Sequence, residues 1–436
     1  MKKIISALVI GATAAGIATA DLTLQAGIRV APMLYRYNTD LEGGSKLKQK
    51  KLFDMQGYAD PNNDVKMTAS GNIFTFYTQL TPTVEADDIQ VKAATIAAKV
   101  GNFTFTTGFN NGGTTVLSMK DVAKGNDEGG VTGETYKLGS IFDGSPALLA
   151  NSQTGFFKDE DNYFAQAKYG LPLGDTFTLN LAAAAISPHG FAYSYRSAED
   201  NTWHDASGKD LDNHSMGWAL SVNPVIKKLI SVDLVAKGFC GARDGNATYK
   251  HYNHVFAGYV NLLCVPVLSN AVFGGSVWLN DGDLMEWNAD LSLGFKLLDG
   301  RLNIGFNNKF AFHDGGGKSS SKVGYGTQYD GAEYMLYDVL SASFKLNDTL
   351  TIRGSVGQQS AFKDVKDKPA STGTTIYVYP RAEIFATSSL SVTAGAIFTL
   401  DKLGYKKHGE DNVAVTGDAK KMAILVNVPF TMKFSL

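Results

Sequence analysis

Several things are scarce in this sequence. Beyond its first twenty residues it has no uncharged apolar run approaching the ~20 residues that a transmembrane helix needs, which excludes a helical membrane bundle. Two cysteines, Cys240 and Cys264, are too few to staple 436 residues into a disulfide scaffold. A formal net charge of −2 predicts neither a nucleic-acid binder nor a polybasic membrane binder. No segment sustains a helical period of apolar residues. No Ser/His/acid set has a catalytic spacing, so no catalytic residue, no cofactor and no enzymatic activity are expected. His251 and His254 are three apart on an extended segment and point to opposite faces; the other five histidines fall in or beside polar loops, so no metal site is expected.

Glycine and aromatics are abundant instead: 46 Gly, 25 Phe and 19 Tyr. Mean hydropathy is near zero, at −0.09. A chain that is polar on average still crosses a membrane if every second residue is apolar.

The first twenty residues read as a secretory signal. Lys2 and Lys3 give a positive start, Ile4 to Ile17 is uncharged and apolar, and Ala18-Thr19-Ala20 is a small-residue cleavage site. Cleavage after Ala20 would leave residues 21–436 as the mature part, exported to the periplasm.

Alternation dominates that part. Met422, Ile424, Val426, Val428, Phe430, Met432, Phe434 and Leu436 are apolar at a period of two, with Asn427, Thr431, Lys433 and Ser435 between them. Similar runs start at Leu22, Phe177, Trp287, Leu302 and Leu390. Soluble half-buried strands usually end after about 5–6 residues, whereas a tilted membrane strand needs about 9–11. Short turns are expected at Val100-Gly101-Asn102, Leu171 to Thr176, Asn223 to Leu229, Val265 to Asn270, Leu298 to Arg301, Leu346 to Thr349 and Ala386 to Ser389, with longer polar loops between them, among them Ser187 to Asn213, Asn280 to Asp283, Phe362 to Thr374 and Asp401 to Ala419. The longest, about 110–161, carries apolar clusters at Ile141-Phe142 and Ala147-Leu148-Leu149. The predicted architecture is therefore all-β, a transmembrane antiparallel up-and-down β-barrel. Its short turns would be periplasmic and its long loops extracellular. Parity requires splitting Val65 to Glu85 at Ser70-Gly71-Asn72, which gives about eighteen strands, with about sixteen as the alternative. Two residues disturb the pattern. Pro429 cannot donate to a ladder and calls for a bulge or an unpaired edge. Asp338 falls on the apolar face, which calls for a place at the rim or a shift of register.

The mature start Asp21-Leu22-Thr23-Leu24-Gln25-Ala26-Gly27 resembles the first strand of Gram-negative general porins. The stretch Ala98 to Gly108 resembles the porin hairpin that precedes the constriction loop, and the longest loop follows it here. The end resembles the signal read by the barrel-assembly machinery, carried by Phe430, Met432, Phe434 and Leu436, although that signal favours a terminal Phe. The resemblance implies an outer-membrane channel in contact with outer-membrane lipid, inserted by that machinery, with a homotrimer as a candidate assembly.

Alternation assigns a set of charged residues to the inward face: Arg29, Lys92, Lys168, Asp233, Lys237, Glu286, Asp290, Lys296, Arg301, Lys309, Lys345, Arg353, Arg381 and Glu383. So many charges need water, and barrels of 16–18 strands leave an aqueous lumen. Acidic residues of the long loop, Asp121, Asp127, Glu128, Glu134 and Asp143, would face this wall if the loop folds inward as a constriction. Aromatics such as Tyr169, Tyr193, Tyr195, Trp218 and Trp287 fit an interfacial girdle, while Tyr377 and Tyr379 fall on the inward face. The expected function is a porin for passive diffusion of small hydrophilic solutes or ions. A surface adhesin or structural barrel is the alternative. A hydrophobic-substrate transporter fits less well, because the inward face is charged and a strand begins at once at Asp21. No Cys240–Cys264 bridge is expected, since about 12 residues of ladder, roughly 40 Å, separate them.

Overall fold

The computed structural model describes residues 21–30, 33–40, 65–83, 88–110, 163–186, 192–196, 203–207, 216–242, 250–264, 267–280, 283–313, 333–362, 370–409 and 422–435. The expected signal segment, the 110–161 loop beyond Asn110, Leu436 and most outer loops lie outside these residues.

Strands account for nearly all of the described chain. They are β1 (Asp21–Val30), β2 (Met33–Asp40), β3 (Val65–Ser70), β4 (Phe74–Thr83), β5 (Asp88–Val100), β6 (Phe103–Asn110), β7 (Tyr163–Leu173) and β8 (Phe177–Ile186). Then come β9 (Ala192–Arg196), β10 (Trp203–Ser207), β11 (Met216–Ile226), β12 (Ile230–Ala242), β13 (Lys250–Leu262), β14 (Leu268–Asn280) and β15 (Asp283–Leu297). The last are β16 (Leu302–His313), β17 (Tyr334–Lys345), β18 (Leu350–Phe362), β19 (Ala370–Phe385), β20 (Leu390–Gly395), β21 (Ile397–His408) and β22 (Ala423–Ser435). Twenty of these segments form one sheet, and β9 and β10 form a separate hairpin.

Pairing is antiparallel and almost wholly between neighbours in sequence, the up-and-down order of an outer-membrane barrel. At the seam, the first half of β1 lies along β3, with Asp21 opposite Ser70. Its second half lies along β22, with Gly27 opposite Ser435. β2 continues along β22. The seam is thus zipped on one side at a time. Counting β1 and β2 as one crossing, and β20 and β21 as another, gives the expected eighteen; counting β1 and β2 apart gives nineteen.

The short turns all fall at one rim, which explains their backbone links. Each turn hands a hydrogen bond to the next: Lys227 N–H to Thr176 O (2.8 Å), Leu263 N–H to Leu229 O (2.9 Å), Lys345 N–H to Arg301 O (2.8 Å) and Phe385 N–H to Thr349 O (2.8 Å). Gly71 also closes the turn that separates β3 from β4, as parity required, by donating to Phe74 O (2.8 Å).

The structure departs from expectation at four places. The supposed loop between Asn280 and Asp283 is a tight hairpin, with those two residues opposite each other. Strand pairing runs on from Ala370 to His408, into segments read as loops from their polar composition; Ser371, Thr372 and Thr374 are strand-compatible despite being polar. Tyr193 and Tyr195 belong to the β9–β10 hairpin, not to the barrel wall. Asp338 is at neither a rim nor a bulge: pairing through β16, β17 and β18 is unbroken around it. Pro429 behaves as expected, with a register shift between Met33 and Tyr35 opposite it. A second proline matters too. Ala396, the residue between β20 and β21, donates to Pro380 O (3.1 Å), and Pro380 has no N–H to return. Register is kept across the gap, so one strand is read as two.

Cys240 pairs with Tyr252 far up β12–β13, while Cys264 lies beyond Leu262 at the turn rim and is a free, exposed thiol.

Candidate functional site

The two faces of the wall are chemically opposite. Outward side chains are apolar and open: Leu22 is 69 % exposed, Phe105 56 %, Leu220 51 % and Leu340 53 %. Rings gather at both ends of this face. Near the turns Phe103 stacks on Phe105, with centroids 6.4 Å apart, and meets Tyr169 at a tilt, with centroids 4.3 Å apart. At the other end lie Trp287, Phe310, Phe312 and Tyr334, and Trp218 with His254 at 5.7 Å. This is the girdle arrangement of a membrane barrel.

The inward face carries polar networks that follow register. One row runs Asp233, Tyr259, Gly274, Asp290, Lys309 across β12 to β16. Gly274 matters because a Cβ there would collide with Tyr259. Without it, Tyr259 lies across β14 and its hydroxyl donates to Asp290 Oδ2 on β15 (2.6 Å). Asn180 Nδ2 donates to Asn223 Oδ1 (3.0 Å), and Asn223 Nδ2 donates to Asp233 Oδ1 (2.6 Å). Ser292 donates to Asn307 Oδ1 (2.7 Å). On β18 and β19, Arg353 and Arg381 are directly opposite each other. Arg353 is bridged to Glu383 (2.7 Å), and the guanidinium of Arg381 lies 4.4 Å from the ring centre of Tyr379. Tyr377, inward and buried, lies over Gly357, where a Cβ would again collide with the ring.

The charged residues assigned inward by alternation divide into four groups. Asp233, Asp290, Arg353, Arg381 and Glu383 join these networks, and Lys168 pairs in register with the inward Thr104. Arg29, Lys237, Glu286 and Lys309 hold inward register positions opposite Lys433, Ala219, Trp278 and Asp290. Lys92 lies at the register shift beside Gln79, where alternation does not assign a face.

The turn rim claims the rest. Arg301 caps the next turn through Lys345 O and Leu346 O (3.3 and 3.2 Å), with its guanidinium over the outward Phe344 ring at 5.4 Å. Lys345 pairs with the exposed Asp348 (2.7 Å), and Lys296 sits at the same rim. Both arginine and lysine reach backbone or carboxylate at the turn that strand parity alone does not reveal. Phe430, Met432 and Phe434 share the outward face, while the loop residues Asp121, Asp127, Glu128, Glu134 and Asp143 lie outside the described chain. Among the described residues, no cluster of three His, Cys, Asp or Glu could hold a metal ion.

Sequence reasoning missed the amide partners. Asn180 and Asn307 lay on the polar side of their own alternation and Asn223 in an expected turn that the structure makes part of β11, but which residue each meets depends on the pairing of neighbouring strands.

No known family profile matches the chain, and no curated relative does. Among solved structures it is similar to OpdL of Pseudomonas aeruginosa, at 11 % identity over 95 % of this chain and 99 % of that one, with a TM-score of 0.48. It is also similar to the outer-membrane channel DcaP of Acinetobacter baumannii (11 %, 96 % and 98 %, TM-score 0.43). A third is an anion-selective porin from Comamonas acidovorans (10 %, 96 % and 100 %, TM-score 0.41).

Proposed function

We propose that the chain is an outer-membrane porin that lets small hydrophilic solutes or ions diffuse passively through a water-filled lumen. The observation that carries this reading is the reversal of polarity across one wall. Open leucines and phenylalanines face outward, while Asp290, Arg353, Arg381 and Glu383 face inward. A soluble sheet would put the apolar side in its core, whereas a membrane barrel puts it in lipid. On this reading residues 1–20 are a cleaved export signal, Phe430 to Leu436 carry the assembly signal, and the 110–161 loop narrows the pore. The protein performs no chemistry.

Planar-bilayer conductance tests the reading. Stable open steps are expected from the purified chain. A folded, inserted barrel that never conducts overturns the porin and favours a surface-binding barrel, for which the β9–β10 hairpin, which pairs as a sheet of its own, is the feature to examine. Replacing Asp121 to Glu134 by a short Gly/Ser linker should enlarge the steps; unchanged steps place that loop outside the pore.

A further inference from the structure

Among the described residues, a cluster of polar side chains centred on Asp338 interrupts the apolar outward face of β16–β18. Asp338 is four steps along β17 from Tyr334 and six from Phe344. At ~3.4 Å per residue and ~40° of tilt, these are heights of roughly 10 and 16 Å, so Asp338 lies near the middle of a band ~25 Å tall. Asn308 and Gln358 are its direct neighbours in register on β16 and β18. Asn308 Nδ2 donates to Asp338 Oδ1 (2.6 Å), and Gln358 Nε2 donates to Oδ2 (2.6 Å). One step towards the outer rim on the same face, the hydroxyls of Ser360 and Thr374 share a hydrogen bond of 2.9 Å.

Lipid tails satisfy none of these groups. Polar side chains at mid-depth normally face a lumen or another protein. Asp338 does not face the lumen, because Leu336 and Leu340 flank it on its own face and Leu340 is open. Asn308 and Gln358 each keep a second N–H and a carbonyl oxygen after donating once. The triad is therefore self-complementary: a second triad brings amide donors to the carboxyl oxygens and acceptors to the spare N–H groups. Two steps towards the turns, Ala342, Gly354 and Pro380 align across three strands and make a low surface. A Cβ at Gly354 would meet nothing within 4 Å, so that surface is open rather than filled by the chain itself.

We propose that the outward face of β16–β19 around Asp338 is the contact through which a second copy of this chain packs against the barrel in the membrane. This rests on the membrane-barrel reading above. The alternative occupants are lipid and an unrelated protein.

Cysteine cross-linking in native membranes separates them, in a chain with Cys240→Ser and Cys264→Ser. Leu340→Cys is expected to give a cross-linked product of twice the chain's mass, and Leu220→Cys on the β11 wall is expected to give none. Gly354→Phe should reduce the Leu340→Cys product at least tenfold while leaving single-channel conductance and heat-dependent gel mobility unchanged. Asp338→Leu should act likewise. Equal linkage from both cysteines, linkage to a protein of another mass, or an uncross-linked monomer at every protein concentration overturns the contact. Conductance is recorded on the same preparation. A conducting monomer overturns only the contact, whereas a water-soluble chain overturns both the contact and the membrane reading.

Discussion

The walls made by β11–β15 and by β16–β19 obey the same alternation and carry different chemistry. On the first, the outward face is Leu220, Leu234, Phe256 and Phe273, all open and apolar, and the inward face is held by acids with amide and phenol donors. On the second, the outward face is broken by Asn308, Asp338 and Gln358, and the inward face is led by Arg353 and Arg381. The pleat decides which side a residue takes, and the neighbours across the ladder decide what it meets there. A polar residue on the apolar side is thus evidence about the surroundings of the barrel, and need not be an error of register.

The sharpest way to break the comparison is to put one charge on each outward face. Leu220→Arg should cost about 2–4 kcal/mol at mid-depth and leave little heat-modifiable barrel. Leu340→Arg, two residues from Asp338 on the same face, should assemble visibly better. Equal losses on the two walls would mean that the Asp338 patch offers a cation nothing.

Inside, Tyr259→Phe removes the hydroxyl that reaches Asp290 across Gly274. A loss of about 1 kcal/mol in unfolding free energy is expected. Urea unfolding in a lipid or detergent host reads it, and no loss would separate the phenol from the stability of that wall. A smaller effect is expected at the basic wall. Glu383→Gln leaves Arg353 without its carboxylate. The anion-to-cation permeability ratio should rise about two- to fivefold, as expected for an unbalanced charge a few ångströms from the ion path in a wet pore. An unchanged ratio would place the pair away from the ion path.

The rim common to both walls should respond least. A hydrogen bond from Lys345, reinforced by its charge, lowers the Asp348 carboxyl below its ordinary pKa of 3.8. A lowered carboxyl contributes stability above its ordinary pKa, and that contribution is lost as pH falls through the lowered value. The pair is solvent-exposed, so Asp348→Asn should leave unfolding unchanged at pH 7. A clear destabilisation at pH 7 that vanishes below pH 3 would show that the turn holds more than its own geometry.

Much of this fold was legible because a strand repeats every two residues. That period is local, so the face of Leu340, Leu291 or Met432 follows from its immediate neighbours in sequence. The turns at Gly71, Gly101 and Gly300 were legible for a related reason: they interrupt alternation, and Gly300 adopts a positive φ of 82° that suits glycine. What could not be read is whatever depends on register between strands. Arg301 has the parity of a lumen residue, yet the adjacent turn offers its carbonyls and draws the side chain to the rim. Ala396 is an ordinary strand residue until Pro380 is placed beside it. Asp338 looked like a misfit because the two amides that hold it lie thirty residues before it and twenty after it. By itself the sequence determined the class of fold, the polarity of each face and most of the turns, since all three are written in nearest-neighbour spacing. Only the tertiary structure decided which polar groups meet, because hydrogen-bond partners across a sheet are chosen by the pairing of distant strands.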